Sequence, residues 1–120
     1  MPGSNEAVGL SLPISEIKAE LFKALGHPAR VRILEVLSQG EHAVGEMQPL
    51  VGIESSHLSQ QLSVLRKARL VRSRKDGSSV IYSLADPEIV ELLAVAKRIL
   101  LASLSSDVDL LADLRAAADR

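Results

Sequence analysis

The sequence predicts a mainly α-helical fold carrying one β-hairpin, and three observations predict it. Apolar residues recur at helical spacing in several separate stretches; one stretch, 70–84, alternates apolar and polar residues around Asp76-Gly77; and proline or glycine stands at most changes of pattern. A chain of 120 residues that is 47% hydrophobic is long enough to bury one core. It contains no cysteine, which excludes disulfides, thiolate metal sites and thiol nucleophiles. No apolar run reaches the roughly 20 residues of a membrane span. The start "MPGSNEAVGLSLP" lacks the basic and apolar regions of a secretory signal, so a soluble, cytoplasmic protein without a membrane partner is expected.

Residues 1–12, rich in Gly, Ser and Pro, read as a flexible arm that ends at Pro13. "ISEIKAELFKALG" follows as a helix with Ile14, Ile17, Leu21, Phe22 and Leu25 on one side, and Gly26 is placed to end it in a left-handed conformation. A second helix begins at Pro28, the first-turn position proline favours, and buries Val31, Ile33, Leu34 and Leu37 before "SQG" stops it. "AVGEMQPLVG" holds only a short helix, limited by Pro49 and closed by Gly52. Glu54, Ser55 or Ser56 then caps the helix written "SSHLSQQLSVLRKA". Asp76-Gly77 favours a two-residue hairpin turn between the strands of "LVRSRKDGSSVIYSL". From Asp86-Pro87 a long helix runs through "EIVELLAVAKRILLASL", and "SSDVDLLADLRAAADR" extends or restarts it. The expected organisation is an arm over 1–12, a domain over 13–104 and a helical extension over 105–120.

The helix after Glu54 carries the functional signal. Leu58, Leu62, Leu65 and Ala68 fall on one side of a helical wheel and form its buried stripe. Ser56, Ser59, Gln60, Ser63 and Lys67 collect opposite, where a merely solvated helix would carry Glu, Lys and Arg. Short hydroxyls and a planar amide suit the base edges of B-DNA, whose major groove is about 12 Å wide and admits one helix. Ser56, Ser59 and Gln60 would face the groove, with His57 and Gln61 flanking them.

Charge supports this reading. The net charge is −1, yet Ser55 to Leu84 holds Arg66, Lys67, Arg69, Arg72, Arg74 and Lys75 against Asp76 alone. Attraction to a polyanion depends on charge within about a Debye length, not on the total. Arg72, Arg74 and Lys75 lie on or near the hairpin tip, placed for phosphates or the minor groove. Helix, helix, short helix, polar-faced helix, basic hairpin and long apolar helix together describe a winged helix-turn-helix. The apolar arc Ile89, Val90, Leu92, Leu93, Val95, Ile99, Leu100, Leu101 and Leu104 is wider than one core contact requires, so the terminal helices are expected to form a homodimer interface.

The same residues resemble a family. "LFKALGHPARVRILEVL", "VGEM", "SSHLSQQLSVLRKARLV" and the wing "RKDGSSVIYSL" look like the ArsR/SmtB family of dimeric bacterial repressors, from about Ile17 to Leu104. The resemblance implies binding to a palindromic operator, relieved by a metal ion or another signal. It sets Ser55 through Arg66 at the recognition helix, which includes Ser55, Ser63 and Arg66, and Arg72 through Tyr82 at the wing, which includes Ser78 and Tyr82. Three departures matter. Ala43 and Gly45 stand where arsenic- and cadmium-sensing members carry Cys-Val-Cys, and the terminal helix has no histidine for a zinc-type site. Arg69 stands where the family commonly has glycine, so the helix should end before it or its stem must lie over the core.

His27, His42 and Glu46 are the remaining metal candidates, with Met47 nearby, and nickel, cobalt or zinc is the effector such ligands would take. For His27, between Gly26 and Pro28, a local cap is the commoner role. Arg30 and Arg32 read as surface ion-pairing residues. An alternative use of the scaffold is protein contact without operator binding, which would call for mixed apolar residues on the polar-faced helix. No nucleophile with a base, paired carboxylates or phosphate loop suggests an enzyme. One Phe, one Tyr and no Trp leave no stacking platform for single strands, which favours duplex DNA.

Overall fold

A computed structural model describes residues 2–118, with side chains described over 13–117 apart from Ser106. The chain divides into two units, Met1–Pro87 and Glu88–Arg120. The first contains α1 (Pro2–Leu25), α2 (Pro28–Leu37), β1 (His42–Ala43), α3 (Val44–Val51), α4 (Ser55–Lys67), β2 (Val71–Asp76) and β3 (Ser79–Leu84). The second contains α5 (Glu88–Ala118). A mainly α fold with a β-hairpin wing is what the apolar periods predict.

Three helix ends differ from expectation or refine it. Residues 2–12, read from sequence as a flexible arm, have a helical backbone, and α1 runs on through Pro13. A proline inside a helix removes one hydrogen bond without forbidding helix on its N-terminal side; Met1 lies outside the described residues. Gly26 is not left-handed: its N–H donates to the Lys23 carbonyl at 3.1 Å, and the chain goes directly into the extended N-cap of α2. That cap is His27, whose Nδ1 accepts from the Ala29 N–H at 3.1 Å, with Pro28 at the first helical position. Gly52 closes α3 with φ +78°, as its sequence position predicts.

Helix α4 ends in a Schellman motif. The Arg69 N–H donates to the Arg66 carbonyl at 3.0 Å and the Leu70 N–H to the Leu65 carbonyl at 2.9 Å, which satisfies carbonyls the helix leaves open. The residue at the left-handed position is Arg69, at φ +63°. The conflict seen in the sequence is thus resolved by ending the helix at Lys67 and turning Arg69 out to solvent. Leu70 and Val71 then return to the core.

The sheet order is β1-β3-β2, all antiparallel. Asp76 pairs with Ser79, so the two-residue turn is Gly77-Ser78, one residue later than Asp76-Gly77. Gly77 has φ +63° and Ser78 does not share a positive φ, the pattern of a type II′ turn, which wants glycine first. Strand β1, too short to announce itself in the sequence, pairs His42 with Tyr82 and Ala43 with Ile81.

Ile33 and Leu34 of α2, Met47 and Val51 of α3, and Leu58, Leu62 and Leu65 of α4 are almost wholly buried and form the core of the first unit. Each such side chain contributes about 1.5–3 kcal/mol. Helix α5 is continuous over 31 residues, so residues 105–118 extend it rather than restart it. Its Ile99, Leu100, Leu101 and Leu104 are more than half exposed, as are Ile17 and Phe22 of α1.

Arg69→Gly is expected to stabilise the fold by about 0.5–1 kcal/mol, since relief of left-handed strain exceeds the added freedom of the unfolded chain. Thermal and urea unfolding of the two proteins checks this.

Candidate nucleic-acid interface

Helix α4 is fixed by its stripe. With Leu58, Leu62 and Leu65 held inward, the opposite side must face out, and Ser55, Ser56, Ser59, Gln60, Arg66 and Lys67 are exposed while Ser63 is half-buried. Hydroxyls, an amide and cations therefore share one accessible surface about 13 residues long. Arg66 and Lys67 occupy the last turn, where cations are also favoured by the helix dipole.

Of the two residues placed beside that surface by sequence, Gln61 lies elsewhere and His57 keeps only part of its ring accessible. Gln61 is buried, 8% exposed, and its Oε1 accepts from Arg30 Nη1 at 3.3 Å. It sits about 60° from Leu58 on the wheel, on the edge of the stripe, and Arg30 offers the partner that makes burying its amide tolerable. The second Arg30 Nη donates to the Lys23 carbonyl at 3.3 Å, so this arginine ties α1 and α4 to α2 instead of pairing with a surface acid. Its Nε is buried without a partner. His57 is half-buried, its ring edge-on to His27 with centroids 6.1 Å apart.

The wing presents two faces. By register and alternation, Arg72, Arg74 and Asp76 share one with Ser83, Ile81 and Ala43, whereas Lys75 and Ser73 share the other with Tyr82 and His42. Arg74 and Lys75 therefore diverge. Arg72, Arg74, Lys75 and the turn residue Ser78 are exposed, and Tyr82 is half-buried. At the wing's base a recess of about 450 Å³ is lined by Arg66, Arg69 and Arg72 together with Val71, Ser73 and Ala85. Sequence reasoning left Arg69 out of the site; its proximity to two other cations arises only when the Schellman turn reverses the chain.

Arg74 is engaged. Its Nη1 donates to Glu41 Oε2 at 2.8 Å and its Nη2 to Glu41 Oε1 at 2.9 Å. The hydrogen bond from Arg74 holds the Glu41 carboxyl below its usual range, and the same bond raises Arg74. No sequence signal links residues 33 apart across a turn and a helix-turn-helix.

The metal candidates do not converge. His27 caps α2, His42 Nδ1 meets the Gly40 carbonyl at 2.8 Å, and the Glu46 carboxylate accepts from the Ala43 N–H at 2.9 Å. Met47 is wholly buried. Among the described residues no group of three or more His, Asp or Glu side chains could hold a metal ion.

Comparison with known proteins agrees with this geometry. Residues 27–73, from the cap of α2 into the wing, match the family described as "Bacterial regulatory protein, arsR family". The HTH-type transcriptional regulator Rv0081 of Mycobacterium tuberculosis is 55% identical over 107 residues, covering 88% of this chain and 94% of its own. Its crystal structure superposes with a TM-score of 0.75 over 80% of this chain and 97% of that one. A biofilm growth-associated repressor of Agrobacterium fabrum is 39% identical over 88 residues, covering 70% of this chain and 75% of its own. The homodimeric winged helix-turn-helix DNA-binding domain Mb0332 of Mycobacterium bovis, 27% identical, superposes with a TM-score of 0.73 over 80% of this chain and 89% of that one. With a polar helix face held outward by a leucine stripe, a basic three-stranded wing and relatives of this identity and coverage, the chain belongs to the ArsR family of winged helix-turn-helix transcriptional regulators.

Proposed function

We propose that this regulator acts as a homodimeric repressor that reads duplex operator DNA with Ser56, Ser59 and Gln60 of α4. Ser55, His57, Ser63 and Arg66 border that contact. Arg72, Arg74, Lys75 and Ser78, with the Tyr82 hydroxyl, serve phosphates at the wing. Gln61, named beside them by sequence, is assigned instead to the packing of α4. The observation that carries the reading is the outward polar face of α4, fixed by burial of Leu58, Leu62 and Leu65. This is a binding function carried out where bacterial DNA resides, in the cytoplasm, and it needs no catalytic group. Among the described residues no helix is long and apolar enough to cross a membrane.

Dimerisation is supported by apolar side chains left in water. Ile17 and Phe22 in α1, and Ile99, Leu100, Leu101 and Leu104 in α5, are more than half exposed. A two-fold pair would present two α4 faces to one duplex, so that each half-site raises the effective concentration of the other.

Gln60→Ala is expected to weaken operator binding by about 1–3 kcal/mol per half-site and to relax base preference, with unfolding unchanged. Gln61→Ala should do the reverse, lowering stability by about 1–2 kcal/mol and leaving base preference intact. Fluorescence anisotropy on operator and random duplexes, beside urea unfolding, separates the two. Leu101→Glu with Leu104→Glu should give a monomer by light scattering and weaken operator binding by about a hundredfold or more.

A further inference from the structure

We infer that Glu41 is an intramolecular rival of DNA phosphate for Arg74, so that the Nη1–Nη2 edge of this arginine takes a phosphate only by exchanging one anion for another. The inference rests on the reading that the wing meets DNA.

Backbone geometry brings the rival to the wing. Gly40, at φ +139°, turns the chain after α2, and β1 then pairs with β3, so Glu41 arrives in line with the sheet, two strands from β2. Alternation puts it on the face of Ala43, Ile81 and Arg74. Both carboxylate oxygens take both terminal nitrogens of the guanidinium, at 2.8 and 2.9 Å. A phosphate also takes that forked edge, and a guanidinium cannot give it to both anions at once.

The pair is also built to exchange. Its side chains are 52% and 53% exposed, and an ion pair in that setting is held weakly and screened by salt. A duplex concentrates phosphates and releases counterions when a cation replaces them, which a single carboxylate does not match. Acid is not the release. Because the Arg74 hydrogen bond lowers the Glu41 carboxyl below its usual range, the carboxylate stays charged above that range and is neutralised only as pH falls through the lowered value. At neutral pH a competing anion is what frees Arg74. Arg72 shares that face of β2 with Arg74.

Phosphate contacts are independent of sequence, so the test uses a fluorescein-labelled random 30-base-pair duplex across a salt series. The proteins are the wild type, Glu41→Gln, Arg74→Ala and the double variant. Glu41→Gln is expected to tighten binding about three- to tenfold, and to steepen the slope of log affinity against log salt by about one. In the Arg74→Ala background the same change should alter affinity by less than about twofold, since the contested cation is gone. An unchanged or weakened affinity for Glu41→Gln would overturn the inference, as would an equal gain with and without Arg74, which is plain repulsion between Glu41 and the duplex. Failure of the wild type to bind any duplex at low salt would instead remove the DNA-binding reading, and this inference with it.

Discussion

Burial of the Leu58, Leu62 and Leu65 stripe is the constraint from which the rest of the molecule follows. A helix has one period, so fixing one side in a core of Ile33, Leu34, Met47 and Val51 fixes the direction of every other side chain. The hydroxyls and amide of Ser56, Ser59 and Gln60 need no contacts of their own to be aimed. Their rigidity is borrowed from the leucines beneath, and an interface that reads base edges needs that rigidity more than it needs affinity from any single group.

The wing is positioned by the way α4 ends. The two hydrogen bonds of the Schellman turn set the exit direction, and Arg69 occupies a left-handed conformation at which glycine would be easier. Strain there coincides with a cationic recess shared with Arg66 and Arg72. A glycine would relax the backbone and delete one of its three guanidinium groups. Strand β1 adds a second restraint, because two residues of pairing bind the loop after α2 to the hairpin and bring Glu41 within reach of Arg74. Helix α4 and the wing are thus tied at both ends of the helix-turn-helix.

Much of this was legible in the sequence, for identifiable reasons. The α4 stripe, Gly52 at φ +78° and the strand alternation are local patterns, and local patterns survive into the fold. What escaped was non-local or marginal. Gln61 lies at the edge of the stripe, and whether it turned in or out depended on Arg30, 31 residues away. The turn slipped by one residue because Asp76-Gly77 and Gly77-Ser78 are both acceptable hairpin dipeptides, and only register separates a I′ from a II′ turn. Pro13 marks a helix start in the sequence, yet α1 runs through it, since a proline inside a helix forfeits one hydrogen bond without ending it.

The central claim is that two copies of the chain carry the outward faces of α4 to successive major grooves on one side of a duplex. The chain has no cysteine, so Ser59→Cys provides a single nitroxide site on that face in each copy. Pulsed dipolar spectroscopy of the labelled full-length protein in solution measures the separation of the two faces. The account predicts one population centred at about 34–36 Å, broadened by the label arms. Absence of a dipolar signal at micromolar concentration, or a population far from one helical turn, would contradict it.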